Sequence, residues 1–134
     1  MRKFIILILL LPIFLNSCDD ATISKKDLLT KSWSLNETTL NGEFYDHEAI
    51  YLKNSNYTFM DDETVQIVIA QSSEILNGTW QFVNKDTELT IAFSGVIYVY
   101  TIVKLDNSNL CLSRIESGDV YLYNFSKNLI ECFT

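Results

Sequence analysis

Apolar and polar residues alternate along most of this chain, from Trp33 to Phe125. An alternation with a period of two indicates β-strands, because successive side chains of a strand point to opposite faces. Polar turn residues separate the alternating stretches, and a last apolar piece, 129–133, is either another strand or a cap. The alternation predicts strands over residues 33–40, 43–52, 57–60, 64–70, 78–83, 89–93, 96–105, 110–115 and 120–125.

The connections between these strands are short. Asn41-Gly42 is a strong hairpin signal, because both residues tolerate the positive φ that a two-residue turn requires. Only one segment is convincingly helical. Ser24 followed three residues later by Asp27 resembles a capping box, which predicts a short helix through Leu28 and Leu29.

Eight or nine strands with short connections and no crossover helices favour pairing between sequential neighbours. A flat sheet of that size would leave long edges unpaired, whereas closing it into a barrel removes them. We therefore predict an all-β fold, an antiparallel up-and-down (meander) barrel of about eight strands. The short N-terminal helix is expected to close one end.

The first residues have a different character. Met1-Arg2-Lys3 is basic and Phe4–Leu15 is almost wholly apolar, but this stretch is shorter than the about 20 residues of a spanning helix. The pattern predicts a signal peptide over 1–17. Leu15-Asn16-Ser17-Cys18 resembles the lipobox of bacterial lipoproteins, which implies a diacylglycerol on Cys18 and cleavage before it. The alternatives are an ordinary signal peptide with a chance cysteine, or an uncleaved anchor.

The resulting organisation is a signal peptide (1–17), a lipidated tether (18–24) and a barrel domain (25–134). Its expected location is the cell envelope, anchored in a membrane (the outer membrane, on its periplasmic or its surface face) by the lipid on Cys18. Losing Arg2 and Lys3 leaves 8 basic against 17 acidic residues, a net charge of about −9. A strongly acidic domain is a poor partner for nucleic acid, whose binding depends on Lys and Arg.

Several short motifs occur in an order that resembles the lipocalin-like domain of small Bacteroidetes lipoproteins. The resemblance covers residues 28–125, and it implies the barrel fold and, loosely, a small-ligand or interaction role. One departure is Lys31, where the first strand of the family often has Gly. The motifs are Lys31-Ser32-Trp33-Ser34-Leu35, Asn56-Tyr57-Thr58-Phe59, Gly78-Thr79-Trp80, Leu89-Thr90-Ile91, Tyr100–Leu105 and Leu110-Cys111-Leu112.

Catalytic and metal-binding patterns are weak. His47 is the only histidine, so a nucleophile–histidine arrangement is difficult to build. Asp61, Asp62 and Glu63 are better read as an acidic turn than as a Ca²⁺ site. With four glycines in the chain, no phosphate loop is evident. We predict a non-enzymatic protein without a metal or cofactor.

An eight-stranded barrel is just wide enough to be packed solid or to hold one small ligand. The orientation of Tyr98 and Tyr100 is left open, because both faces of their strand are apolar. We predict a monomeric binding module for a small hydrophobic ligand or an envelope protein; the alternative is a structural or interaction lipoprotein with a solid barrel. If a pocket exists, we expect its walls to include Trp33, Phe59, Trp80, Phe93, Tyr100 and Leu112.

Two cysteines remain after Cys18. Cys111 lies in a predicted strand and Cys132 near the C-terminus. In an exported protein they can form a disulfide, or they can be two separate buried thiols.

Overall fold

The computed structural model describes residues 22–44 and 50–127. The described part contains one regular helix and nine strands, with a further helical turn at 50–52. The elements are α1 (Lys25–Leu29), β1 (Ser32–Leu40), β2 (Glu43–Phe44), β3 (Asn56–Phe59), β4 (Thr64–Val68), β5 (Ile75–Val83), β6 (Glu88–Phe93), β7 (Val96–Leu105), β8 (Asn109–Glu116) and β9 (Asp119–Lys127).

Eight of these strands form a closed barrel. β3 to β9 pair in sequence order, β1 pairs with β3, and β1 also pairs with β9 along almost its whole length, from Trp33 to Leu40. All of these pairs are antiparallel. The predicted all-β meander barrel with a short helix is therefore confirmed.

The predicted second strand, 43–52, is wrong in extent. Only Glu43–Phe44 is a strand, and it pairs with the last two residues of β1 through the Asn41-Gly42 hairpin. Both hairpin residues have positive φ, 52° and 84°. β2 and β3 pair with the same edge of β1. Since β3 occupies that edge near Trp33, a longer β2 would find no free backbone groups of β1 there. A smaller difference is that β5 begins at Ile75, three residues earlier than predicted, because it continues its pairing with β4.

The helix α1 covers one end of the barrel, as predicted. The Ser24 hydroxyl accepts the backbone N–H of Asp27 at 3.1 Å, which caps the helix. Leu29 is fully buried, and its carbonyl oxygen accepts the indole N–H of Trp33 at 2.9 Å. Lys25 donates to the carbonyl oxygen of Asp86, in the turn between β5 and β6. We call this the closed end of the barrel.

Alternate residues of each barrel strand fill the interior with apolar side chains. The buried apolar core consists of Leu29, Trp33, Leu35, Tyr57, Phe59, Val65, Ile67, Ile69, Trp80, Leu89, Ile91, Leu110, Leu112, Tyr123 and Phe125.

Among residues 22–44 and 50–127, no helix has the length and apolar character needed to cross a membrane.

Candidate functional site

A cavity of about 230 Å³ lies in the barrel interior towards the end opposite α1, which we call the open end. That end carries the turns β4–β5, β6–β7 and β8–β9. The cavity is partly open to solvent, and most of its walls are aromatic or aliphatic. Its lining residues are Tyr51, Leu52, Tyr57, Ile67, Ile69, Leu76, Phe93, Tyr98, Tyr100, Arg114 and Tyr123.

The size of the cavity restricts its occupant. Pockets for drug-sized ligands usually measure about 300–1,000 Å³, whereas an apolar cavity of roughly 150 Å³ is enough to hold a benzene molecule. At about 230 Å³, this cavity has room for a single ring with a small substituent.

Tyrosine dominates the lining. Five of the seven tyrosines in the chain contribute to it, so phenolic hydroxyls are distributed over an otherwise apolar surface. The rings support one another: Tyr100 meets Tyr123 edge to face at 5.7 Å, and Phe93 packs on Tyr98 at 5.1 Å. Such ring contacts are favourable and stabilise the arrangement of the wall.

Arg114 is the one charged residue among the described lining residues. It lies on β8, two positions after the buried Leu112, and therefore faces the interior. The guanidinium carbon is 5.6 Å from the ring centre of Tyr98 on β7 and 5.0 Å from that of Tyr121 on β9. Since these strands flank β8, the guanidinium is held between two aromatic rings.

Hydrogen bonds complete the placement of this side chain. Nη1 donates to a carboxylate oxygen of Glu116 at 2.7 Å, and Nη2 donates to the phenolic oxygen of Tyr123 at 3.2 Å. Burial alone would lower the pKa of the Arg114 guanidinium, but the hydrogen bond to Tyr123 and electrostatic interactions with Tyr123, Tyr100 and Glu116 outweigh burial and raise this pKa. Arg114 is therefore a cation at every physiological pH.

Two buried polar atoms beside Tyr123 have no hydrogen-bond partner within the described ranges. One is Nε of Arg114 and the other is the hydroxyl of Thr38. Thr38 lies directly opposite Tyr123 in the β1–β9 ladder. A buried polar atom without a partner costs free energy, and each such atom in a native structure calls for an explanation.

The outside of the open end is apolar. Exposed aliphatic and aromatic side chains occupy the strand ends and the helical turn around the cavity mouth, and we call this set the collar. The collar consists of Phe44, Ile50, Ile75, Val96, Ile97, Ile115 and Val120.

The structure divides the six residues predicted for a pocket into two groups. Phe93 and Tyr100 line the cavity. The other four are in the packed core: Trp33, Phe59, Trp80 and Leu112. Nine lining residues were not among the six predicted, including Arg114, Tyr123 and Tyr98, whose orientation was left open. A signal for Arg114 existed, because alternation from Leu110 and Leu112 places it on the inner face.

The acidic residues 61–63 form a turn between β3 and β4. Asp62 accepts hydrogen bonds from the hydroxyl and backbone N–H of Thr64, which lower the pKa of its carboxyl group. It thus closes a turn. The described ranges contain no cluster of three or more metal-ligating side chains. Cys111 is half-buried, and burial raises the pKa of its thiol.

Cys18, His47 and Cys132 lie outside the described residues. Lipidation of Cys18 and a Cys111–Cys132 disulfide therefore stay predictions.

Two solved structures from Bacteroides share this architecture. A DUF4847 family protein from Bacteroides vulgatus ATCC 8482 is 17% identical, with a TM-score of 0.56 over 78% of this chain and 96% of that one. A lipocalin-like protein from Bacteroides uniformis ATCC 8492 is 14% identical, with a TM-score of 0.53 over 75% of this chain and 99% of that one. No family model matches the sequence, and no curated protein matches it. At these identities the likeness concerns the fold alone, an antiparallel barrel similar to that of the lipocalin-like protein.

Proposed function

We propose that this protein is a lipid-anchored, non-catalytic binding module that holds a small, largely apolar ligand in the open-ended cavity. The observation that carries the proposal is the cavity itself, about 230 Å³ with five tyrosines and five aliphatic or phenylalanine side chains in its walls. A concave, mostly apolar site with a few polar groups is the usual form of a small-molecule site. A barrel packed solid at both ends would have favoured a purely structural role.

The anchoring part of the proposal rests on the lipobox-like sequence before Cys18. The tether 18–24 leads directly into α1 at the closed end. Seven extended residues span at most about 25 Å, so the closed end would face the membrane and the cavity mouth would face away from it. A ligand could then enter from the aqueous side.

The anchor is tested by replacing Cys18. We expect the Cys18→Ala variant to lose incorporation of labelled palmitate and to leave the membrane fraction of the host. Cys111→Ala is the matched control and should keep both properties. Equal labelling of the Cys18→Ala variant and the unchanged chain would contradict the anchoring.

The ligand role is tested by native mass spectrometry of the protein purified from its own host. We expect a bound small molecule that is lost in Leu76→Trp, since Leu76 lines the cavity and the indole would fill it. Val99→Trp, on the exposed outer side of β7, should retain the molecule. Far-UV circular dichroism would show that both variants fold. Retention of the same molecule by both variants would place binding elsewhere.

The collar favours a second candidate, docking of an envelope protein at the open end. Exposed apolar clusters often mark interaction sites, and Ile97 and Ile115 are 67% and 72% exposed. A photo-crosslinker at Ile97 in the host should then give one discrete adduct, and a crosslinker at Lys104, beside the opposite end, should not. Identical adducts from both positions would contradict specific docking.

A further inference from the structure

We infer that the ligand is an organic anion, a small ring-bearing carboxylate whose acid group pairs with Arg114 inside the barrel. This inference rests on the proposed ligand-binding function and specifies its chemistry. Four observations lead to it: the fixed position of the guanidinium, its incomplete charge compensation, its unused donor and the size of the cavity.

The guanidinium is held in place before any ligand arrives. The rings of Tyr98 and Tyr121 flank it at 5.6 and 5.0 Å, and Nη2 is hydrogen-bonded to Tyr123. An arginine that packs on aromatic rings has already lost most of its rotamer freedom. A rigid binding group contributes more to affinity, because less entropy is lost when the ligand binds.

The charge of Arg114 is compensated from one side. Its side chain is 15% exposed, whereas Glu116, its carboxylate partner at the end of β8, is 58% exposed. Every other described lining residue is uncharged. A buried charge is costly unless it is paired, and an exposed partner is screened by water. A carboxylate on the cavity side would supply the missing compensation in a drier setting.

The hydrogen-bonding capacity of Arg114 is also incomplete. A guanidinium has five N–H donors, and a carboxylate accepts two of them in a planar fork. Nε has no partner in the described part of the chain, and the hydroxyl of Thr38, another neighbour of Tyr123, is in the same condition. An acid group that reached the guanidinium would have at least Nε available as a further donor.

The remaining walls define the rest of the ligand. Phe93 and the tyrosine rings suit the faces of an aromatic ring, while Ile69 and Leu76 suit its edge. A benzene-sized group fits within roughly 150 Å³, which leaves space in the cavity for a short acidic arm. A single cation in an otherwise uncharged wall indicates one negative charge rather than several.

The experiment compares an acid with its neutral amide. The full chain, held in lipid nanodiscs, is titrated with 4-fluorophenylacetate and with 4-fluorophenylacetamide, and binding is followed by ¹⁹F NMR against empty nanodiscs. The two probes have nearly the same shape and differ in charge. The variants are Arg114→Met, Arg114→Lys and, as the control of equal charge loss, Lys104→Met on the exposed outer side.

We expect the acid to bind the unchanged chain about ten-fold or more tightly than the amide, in line with the strength of hydrogen bonds between charged groups. Arg114→Met should abolish this preference while the amide still binds, and Lys104→Met should keep it. Arg114→Lys should retain part of the preference for the acid, and this second variant keeps the test decisive if Arg114→Met fails to fold.

Equal binding of acid and amide in all chains would overturn the assignment of Arg114 and leave the apolar cavity as the binding site. Absence of binding by either probe would overturn both this inference and the proposed ligand class. An acid preference that persists in Arg114→Met would place the anion at another cation and overturn the inference alone.

Discussion

The Nη2 atom of Arg114 donates a hydrogen bond to the phenolic oxygen of Tyr123 at 3.2 Å. The two residues are on neighbouring strands, β8 and β9, and both face the cavity. Tyr123 is 4% exposed, so its hydroxyl has replaced water as a partner for the guanidinium. This bond links the stability of the open end to the position of its only described interior cation.

Replacing Tyr123 by Phe keeps the ring and removes the acceptor. We expect the Tyr123→Phe variant to lose about 1–3 kcal/mol of unfolding free energy, because a buried charged donor is left without its partner. The acid-over-amide preference should also fall. Urea unfolding measures the first effect and ¹⁹F titration the second.

Tyr51→Phe is the matched control. Tyr51 also lines the cavity, but its hydroxyl bonds to the exposed Glu74. A similar loss of stability and of acid preference in both variants would show that the bond to Arg114 has no special role.

Glu116 competes with an incoming anion for the guanidinium, since its carboxylate is 2.7 Å from Nη1. We therefore expect Glu116→Gln to bind 4-fluorophenylacetate roughly two- to five-fold more tightly, in the range of one partly exposed ion pair. Isothermal titration calorimetry measures the change. Glu43→Gln removes the same charge from exposed β2 and should leave the affinity close to that of the unchanged chain. Weaker binding in Glu116→Gln would instead mean that this ion pair is needed to hold Arg114 in place.

Gly78 on β5 lies close to the backbone of β6. A Cβ at this position would lie 2.2 Å from the carbonyl oxygen of Ala92 on β6. Backbone cannot move aside as a flexible side chain can, so we expect Gly78→Ala to destabilise the barrel by about 1–3 kcal/mol. Chemical denaturation measures the loss. Ala92→Gly, which removes a side chain from the facing strand, should not rescue the variant, since the clash is with backbone; full rescue would contradict this reason.

Asp106 provides a pH-dependent contribution to stability. Its carboxylate accepts the backbone N–H groups of Ser108 and Asn109 at 2.9 and 2.8 Å, and these bonds lower its pKa. Since the folded pKa lies below the unfolded value, the stabilisation is complete above about pH 4 and is lost as the pH falls through the folded pKa.

The Asp106→Ala variant should therefore be less stable than the unchanged chain at neutral pH, and the gap should narrow below about pH 4. Urea midpoints across this range measure it. Substitution of the exposed Asp61 serves as the control. A gap that stays constant with pH would mean that the ionised carboxylate is not what stabilises this turn.

The barrel could be predicted from the sequence for two reasons. The alternation reflects an apolar inside and a polar outside, and the short turns favour pairing between sequential strands. The stretch 43–52 shows where local pattern fails. Its strand propensity was weak, and the neighbour of β1 along the barrel wall is β3, a pairing that depends on the whole sheet.

The orientation of Tyr98 and Tyr100 could be determined only from the register between β7 and β8. Both faces of β7 are apolar, and Ile97 and Val99 on the outer face are 67% and 49% exposed. The pairing of Ile102 with the buried Leu112 places Ile102, and with it Tyr100 and Tyr98, on the inside.

The location of the cavity could not be predicted from the alternation of apolar and polar residues, because it depends on how completely the side chains fill each layer of the interior. Trp33 and Trp80 fill the interior towards the closed end, where each indole also bonds a backbone carbonyl. The aromatic residues towards the open end leave space between them. Trp33, Phe59, Trp80 and Leu112 were expected in a pocket wall because they face inward, but facing inward does not distinguish a packed layer from an open one.

The most direct test of ligand binding in the cavity is an NMR measurement of contacts between bound 4-fluorophenylacetate and the methyl groups of the full chain in nanodiscs. If the cavity is the binding site, nuclear Overhauser effects will connect the ring protons of the ligand to the methyl groups of Ile69 and Leu76. Contacts confined to the exposed methyl groups of Ile97 and Ile115, with none to Ile69 or Leu76, would contradict it.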